Sequence, residues 1–379
     1  MEVAPFIFGR TVEGNDFTDR QNEREHLVNN FLSLTNTTII SPRRWGKSSL
    51  VKKVAEDVRR HDKKTKIILI DLFNARSEQQ FLEQFASAVT AATSDKLDDC
   101  LEFARTFLSH LQPQISFSPD AQTKITFTAN WAETGLEPDA ILDLPEKLAE
   151  SKHVRVVICL DEFQNIGSYS EPLAFQKKLR AHWQTHQQVC YCLYGSKRHM
   201  LLELFSDPSL PFYRFGDLML LEKIPNAEWA TFIVKQFKNS GKHISFEVAE
   251  YLANLVENHS YYVQQLAQQA WLRTANAGQC DQITIDTSFD AIKDQLSLLF
   301  ASMVDGLTAR QLNFLRAVID GVQSLYSVQT LRSYDLGTSA NIGRIKEALL
   351  KNEIIDITGR HIEILDPVFK HWLNTDYFI

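Results

Sequence analysis

The sequence predicts an α/β fold: a parallel sheet with helices on both faces, then a helical region and a small C-terminal domain of helices and a hairpin. Short, almost entirely apolar runs alternate with helical patterns over the first part of the chain. The strand-like runs stop after Pro225, and two of them return near the C-terminus. Apolar strands that alternate with helices are typical of a parallel sheet buried on both faces.

Five apolar runs form the predicted sheet. They lie at residues 37–42, 66–73, 154–160, 189–195 and, more weakly, 218–221. A helix follows the first run, because Leu50, Val51, Val54 and Val58 recur at helical spacing. A second helix is predicted at about 77–92, with Phe81, Phe85 and Val89 on one face.

Three domains are predicted. Residues 1–222 form the sheet domain, with a less regular insertion at about 94–148 that contains a hairpin around a turn at 118–123. Residues 223–297 form a helical domain, because apolar residues recur there three or four positions apart. Residues 298–379 contain three helices and two strand-like runs around Gly359 and Arg360, which is the outline of a winged helix.

Composition excludes several classes of protein. The net charge of -7 gives no general attraction for nucleic acid or for an anionic membrane. No run of about 18 apolar residues is present, so the sequence predicts no membrane span. The N-terminus has neither the basic region nor the long apolar stretch of a secretion signal, which predicts a cytoplasmic protein. The five scattered cysteines indicate reduced thiols in a core rather than a disulfide framework.

A phosphate-binding loop is predicted between the first strand and the helix that follows it. The sequence SPRRWGKSS at 41–49 matches the pattern GxxxxGK[ST] at Gly46, Lys47 and Ser48, although Ser41 replaces the leading glycine. In such a loop, backbone N–H groups and a lysine bind phosphates at a helix N-terminus, and a hydroxyl binds Mg²⁺. The candidate nucleotide-binding residues are therefore Pro42, Arg43, Arg44, Trp45, Gly46, Lys47, Ser48 and Ser49. A plain helix start with a serine cap is the alternative interpretation.

An acidic pair ends the third strand and completes the predicted site. Asp161 and Glu162 directly follow the apolar run, so they lie at the carboxyl end of the sheet, where α/β proteins bind ligands. Asp161 and Ser48 are the candidate Mg²⁺ ligands, and Glu162 is the candidate residue that orients or deprotonates the attacking water. The alternative is that this pair caps the next helix. Together the loop and the pair predict an ATP or GTP site with Mg²⁺, and the cofactors expected are ATP and Mg²⁺.

Several segments, taken in order, resemble a known family. They are FTDRQNEREHL at 17–27, SPRRWGKSSL at 41–50, LDEFQNI at 160–166, YGSKRHM at 194–200, PFYRF at 211–215, HSYYVQQLAQQAW at 259–271 and DPVFKHWL at 366–373. Over nearly the whole chain, this set is similar to the archaeal and bacterial ATPase family within the STAND branch of AAA-like P-loop proteins. The resemblance implies a RecA-like core, a helical lid and a C-terminal winged helix.

The resemblance also implies roles for further residues. Ser196 would be the polar sensor near the γ-phosphate. Arg214 would be an arginine that stabilises charge, and it would be catalytic together with Lys47 and Glu162. Asp19 and Arg20 would flank the base of the bound nucleotide. Ser260 stands where related lids often have proline. The alternatives are that Ser196 is a turn or cap residue and Arg214 a surface ion pair.

The partner of the winged helix is less well determined by the sequence. Residues 301–379 contain eight Lys or Arg and nine Asp or Glu, so the domain lacks the basic surface of a strong DNA binder. Its third helix carries Arg344, Lys346 and Lys351 against Glu347, with Asn341 as a candidate base reader. The balance favours a winged helix that binds an unknown protein partner or regulates its own chain over one that reads DNA. The functional prediction is an ATP-hydrolysing switch; the alternative is a non-hydrolytic, nucleotide-dependent binding module. An arginine acting between copies would require a homo-oligomer.

Overall fold

The computed structural model describes residues 4–10, 20–93, 112–117, 123–128 and 138–378. The chain divides into two compact units, Arg20–Glu222 and a second unit formed by Met1–Asp19 with Lys223–Ile379. Among the helices within the described ranges, none is both long enough and apolar enough to cross a bilayer. Cys159, Cys190, Cys192 and Cys280 are buried free thiols, as predicted, and Cys100 lies outside the described residues.

Unit Arg20–Glu222 is built on a five-stranded parallel sheet. Its strands are β1 (Thr37–Ile40), β2 (Thr65–Asp71), β5 (Arg155–Asp161), β6 (Val189–Gly195) and β7 (Asp217–Leu220), in the order β2-β5-β6-β1-β7. Every residue of β1 and β6 is buried, because helices cover both faces of the central strands. The predicted parallel α/β fold is therefore confirmed. β3 (Gln112–Phe117) and β4 (Thr123–Thr128) form the predicted hairpin as a separate antiparallel pair, and its turn at 118–122 lies outside the described residues.

The helices of this unit pack apolar faces on the sheet. They are α1 (Gln21–Leu32), α2 (Lys47–His61), α3 (Glu78–Thr93), α4 (Leu144–Lys152), α5 (Pro172–Trp183) and α6 (Arg198–Ser206). Phe81 of α3 stacks on Phe85 and meets Phe175 of α5 edge to face, with ring centroids 5.7 and 5.1 Å apart. Leu144 and Leu148 belong to the same buried core as these rings. The predicted insertion was therefore too long at its C-terminal end, because α4 packs in the core.

The second unit contains the helical region and the winged helix. Its helices are α7 (Asn226–Asn239), α8 (Phe246–Leu255), α9 (Ser260–Arg273), α10 (Gln282–Asp305), α11 (Ala309–Ile319), α12 (Val328–Ser333), α13 (Ser339–Lys351) and α14 (Pro367–Trp372). Strands β8 (His243–Ile244) and β9 (Gln279–Cys280) pair in parallel, and β10 (Ile355–Thr358) and β11 (His361–Ile364) form the predicted C-terminal hairpin. The winged helix thus has the predicted three helices and hairpin.

One predicted domain assignment differs from the structure. The predicted boundary at 297 lies within α10, a single helix that leads from the helical region into the winged helix, and the Tyr262 hydroxyl of α9 donates a 2.6 Å hydrogen bond to Asp366 at the start of α14, so these two predicted domains belong to one compact unit. The sequence analysis places the N-terminal residues in the sheet domain. Phe6 instead packs against Phe232 and Phe237 of α7, with ring centroids 6.2 and 5.6 Å apart, and its carbonyl oxygen accepts a hydrogen bond from Gln268 of α9, so it belongs to the core of the second unit.

Candidate functional site

The predicted phosphate loop joins β1 to α2 through two residues of left-handed backbone. Arg44 has φ of 65° and Gly46 has φ of 92°, and Gly46 stands at the N-cap of α2. Glycine adopts this conformation without steric cost, so Gly46 lets the chain turn sharply into the helix. The helix begins at Lys47, and no side chain caps it. The serine-cap alternative is therefore wrong for this loop.

Lys47 is buried, and its ammonium group lies against the start of the loop. Nζ donates to the carbonyl oxygens of Ser41 and Pro42 at 2.9 and 2.8 Å, and to the Ser41 hydroxyl at 3.2 Å. The ammonium group is thus held where the loop leaves β1. Ser41, which breaks the formal motif, supplies a hydroxyl that glycine lacks. The phosphate-loop motif does not predict this contact between Lys47 and the Ser41 hydroxyl.

The loop meets the end of β5 through one hydrogen bond. The Ser48 hydroxyl donates to Asp161 Oδ2 at 2.7 Å, and Asp161 Oδ1 accepts the backbone N–H of Glu162 at 2.9 Å. Burial raises the pKa of Asp161, and the Glu162 carboxylate adds to the rise, whereas the Ser48 hydrogen bond and Lys47 oppose it. The two halves predicted from separate motifs therefore come together.

Glu162 is held at the same edge of the sheet in a left-handed conformation, with φ of 54°. Its Oε2 accepts hydrogen bonds from Ser196 Oγ at 3.1 Å and from the Gln164 amide. Glu162 is at the N-cap of the 3₁₀ helix Phe163–Ser168, yet its side chain makes no cap hydrogen bond. The capping alternative for Glu162 is therefore wrong. Ser196 contacts the acidic pair from the end of β6, and Gln164 is a contact that was not predicted, although the Phe-Gln following the pair was part of the resemblance.

Ser48 and Asp161 are suited to a Mg²⁺ ion. A hydroxyl and a carboxylate are oxygen ligands, which Mg²⁺ prefers, and it usually takes one or two carboxylates together with phosphates and water. Within the described part of the chain, no group of three or more His, Cys, Asp or Glu could hold a metal ion. A site of one hydroxyl and one carboxylate is different from such a group, so the donor set fits an ion that is shared with a phosphate.

The remaining predicted residues divide between the loop and its surroundings. The Arg20 guanidinium is buried and donates to the carbonyl oxygens of Trp45 and Glu222 at 3.0 and 2.8 Å, so it braces the loop. Arg43 and Arg44 are exposed, and Pro42 and Ser49 are buried. Arg214 is exposed, with its guanidinium 5.2 Å from the centre of the Tyr213 ring. Among the described residues, no hydrogen bond or ion pair joins Arg214 to the acidic pair. Asp19 lies outside the described residues.

Comparisons with known proteins agree with this architecture. Residues 298–375 match the family model described as a probable winged helix domain. The Walker-type ATPase of Pyrococcus abyssi superposes with a TM-score of 0.67 at 16% identity, over 98% of this chain and 99% of that one. The ORC2 protein of Aeropyrum pernix in its ADPNP and ADP complexes gives 0.58 at 15% identity, over 96% and 94% of the two chains. No curated protein matches the chain. The chain therefore has the fold of these two proteins, a P-loop α/β core followed by a C-terminal winged helix.

Proposed function

We propose that this chain is a Mg²⁺-dependent ATPase. The observation that carries the proposal is the 2.7 Å hydrogen bond from Ser48 to Asp161, which joins the start of α2 to the end of β5. One hydroxyl, one carboxylate and the buried Lys47 thus converge on one loop that precedes a helix N-terminus. Converging N–H groups, a lysine and a hydroxyl are the requirements for binding the β- and γ-phosphates of a nucleotide.

Each residue has a role in this proposal. The loop N–H groups and Lys47 bind the phosphates, and Lys47 exchanges its loop carbonyl acceptors for phosphate oxygens. Ser48 and Asp161 hold Mg²⁺, which when bound neutralises charge on the β- and γ-phosphates. Glu162 orients the attacking water and accepts its proton. Ser196 senses the γ-phosphate next to Glu162, and Arg20 keeps the loop in place through Trp45.

Phosphate release from the wild type and from Glu162→Gln tests hydrolysis. Removing a general base lowers turnover by about 10² to 10⁴-fold. We expect that loss with ATP affinity retained, because glutamine keeps the shape of the side chain. Glu171→Gln is the matched control, since Glu171 is an exposed glutamate at the start of α5. Equal rates in wild type and Glu162→Gln would remove Glu162 from catalysis, and tight ATP binding with no phosphate release from the wild type would favour the non-hydrolytic binding module.

The proposed cellular role is a nucleotide-driven switch whose winged helix binds a protein partner. A ligand shifts a conformational equilibrium only if it binds the two states with different affinity.

The third helix of the winged helix, α13, is a weak candidate for reading DNA bases. Arg344 and Lys351 are exposed, but Asn341 is half-buried, and a Cβ on Gly337 would lie 2.4 Å from Asn341 Nδ2. That packing favours a structural role for Asn341 over base reading. Recovery of a protein partner by Glu162→Gln with ATP, but not with ADP, tests the switch, and DNA titrations at several salt concentrations test the alternative partner.

Arg214 is proposed to stabilise charge in the transition state, either within its own chain or across a homo-oligomer. The exposed guanidinium next to Tyr213 is accessible to a second copy. If Arg214 acts in trans, specific activity rises with protein concentration. If it acts in cis, specific activity stays constant. Arg214→Ala that hydrolyses ATP like wild type at every concentration would contradict both roles.

A further inference from the structure

Gln164 is completely buried beside the proposed catalytic carboxylate. Its side chain is 0% exposed, and its Nε2 donates to Glu162 Oε2. Ser196 Oγ donates to the same oxygen. Within the described residues, no hydrogen bond reaches the other oxygen, Glu162 Oε1. Two donors on one oxygen fix the rotation of the carboxylate and leave Oε1 as the acceptor.

The backbone of β6 leaves space for the Gln164 amide. A Cβ on Gly195 would lie 1.9 Å from Gln164 Oε1 and 3.3 Å from Glu162 Cα. Any side chain at position 195 would therefore displace the amide. This close approach explains why glycine ends a strand whose other residues all have side chains.

The side-chain amide of Gln164 makes a hydrogen bond through its nitrogen, but its oxygen lacks a partner in the part of the chain that the structure describes. Among the described residues, Gln164 Oε1 is buried without a hydrogen-bond partner. An unpaired buried polar atom is unfavourable, and an apolar side chain of similar size would avoid the penalty. A buried polar group that reduces stability is expected where it serves a function. The donation to Glu162 is the interaction that the amide makes.

We propose that Gln164 is a positioning residue for ATP hydrolysis: with Ser196 it holds Glu162 Oε2 so that Oε1 faces the attacking water. Water then gives its proton to Oε1 as its oxygen bonds to the γ-phosphorus. The bond from that phosphorus to the bridging oxygen breaks, and ADP leaves with the electron pair. This inference rests on the proposed function and assigns how Glu162 is aimed.

Gln164→Met tests the positioning role, because methionine keeps the length and burial but cannot donate a hydrogen bond. Misplacing a catalytic group by about 1 Å can cost about 100-fold in rate. We expect kcat to fall about 10- to 100-fold, with KM and ATP affinity unchanged. Gln176→Met is the matched control, because Gln176 of α5 is also a buried glutamine whose Oε1 has no partner in the described structure. Wild-type kcat in Gln164→Met would overturn the proposal.

Gln164→Asn gives a second test, and it can be used if Gln164→Met does not fold. Asparagine keeps the amide but is shorter by one methylene group, so its donor is drawn back from Glu162 Oε2. We expect kcat to fall with KM unchanged, as in Gln164→Met. Wild-type kcat in Gln164→Asn would overturn the proposal.

The proposed function and the positioning role fail in different ways. If wild type releases no phosphate, the proposed ATPase fails. If wild type is active and Glu162→Gln is not, while Gln164→Met matches wild type, only the positioning role fails. Gly195→Ala gives an independent check, because its Cβ displaces the Gln164 amide without removing it, and we expect the same loss of kcat with unchanged KM.

Discussion

The sheet of unit Arg20–Glu222 has a polar cluster at each end, and the two clusters differ in how their interactions are used. At the amino end, Asp143 Oδ1 lies 2.7 Å from His182 Nδ1 and 3.4 Å from His186 Nε2, and His186 Nδ1 lies 2.9 Å from the Tyr191 hydroxyl. These four residues form the amino-end cluster. Their polar atoms bind one another, so the cluster is an internally paired network.

The carboxyl-end cluster, formed by Lys47, Ser48, Asp161 and Glu162, is arranged differently. Two carboxylates are adjacent in sequence, and Glu162 has a left-handed backbone. Burial and the neighbouring Glu162 raise the pKa of Asp161, whereas the pKa of Asp143 is lowered at the amino end, where its hydrogen bonds with His182 and His186 outweigh the effect of burial. Perturbed carboxylates and strained backbone are typical of functional sites. We therefore expect the amino end to stabilise the fold, and the carboxyl end, where we propose nucleotide binding, to reduce stability.

Lys47→Ala should have the largest effect, and it should act on binding. A hydrogen bond to a charged group is worth about 1.5–3 kcal/mol, so we expect ATP affinity to fall about 10- to 100-fold. Calorimetric titration with ATP and Mg²⁺ measures this change. Lys53→Ala is the control, because Lys53 lies on the same helix but outside the phosphate loop, with its Nζ 3.7 Å from Glu56 Oε2. Unchanged affinity in Lys47→Ala would break the assignment of function to the carboxyl end.

Asp143→Ala should act on stability instead. Its loss leaves the buried ring of His186 without its carboxylate acceptor, which costs about 1–2 kcal/mol after allowing for the exposed part of Asp143. Denaturant unfolding of Asp143→Ala and of Asp143→Asn, which keeps one acceptor, separates the missing acceptor from the missing charge. ATP affinity should match wild type in both variants. A loss of affinity comparable to that in Lys47→Ala would contradict the proposed division between the two ends.

The sheet and the winged helix could be predicted because their signals are local. Apolar runs and helical periodicity depend on neighbouring residues, and the phosphate motif places Lys47 and Ser48 by spacing alone. The contact between Gln164 and Gly195 could not be predicted, because it joins a residue of the 3₁₀ helix Phe163–Ser168 to the last residue of β6, and it depends on Gly195 having no Cβ. Phe6 was assigned to the wrong unit for a similar reason: a short apolar run shows that a residue is buried, but not which helices bury it.

Asp161→Asn should raise stability slightly while it removes function. The pKa of Asp161 is raised on folding, so the ionised form is disfavoured in the fold at neutral pH and this penalty disappears as pH falls. Asparagine removes the charge and keeps one oxygen that accepts from Ser48, although its amide nitrogen cannot accept from the Glu162 N–H. Stabilising substitutions commonly contribute about 0.5–2 kcal/mol, and we expect the lower part of that range because one hydrogen bond is lost. Denaturant unfolding at neutral pH checks the gain, and Mg²⁺-dependent ATP binding should be weakened. A loss of stability would show that Asp161 is mainly structural.

The smallest expected effect is a pH dependence of the free energy of unfolding that arises at the amino end. Its sign is opposite to the pH dependence expected from Asp161. Burial lowers the pKa of His186, so the unfolded chain takes up a proton at a higher pH than the folded protein. The free energy of unfolding should therefore decrease as pH falls below about 6.5, the ordinary value for histidine. The lowered pKa of Asp143 adds a second decrease below about 3.9. His186→Gln should reduce the first decrease without abolishing it, because burial also lowers the pKa of His371, and it should leave the second. A wild-type stability that is flat from neutral pH down to the carboxylate range would show that His186 is protonated as readily in the fold as outside it, and the amino-end cluster would then resemble an exposed ion pair rather than a buried network.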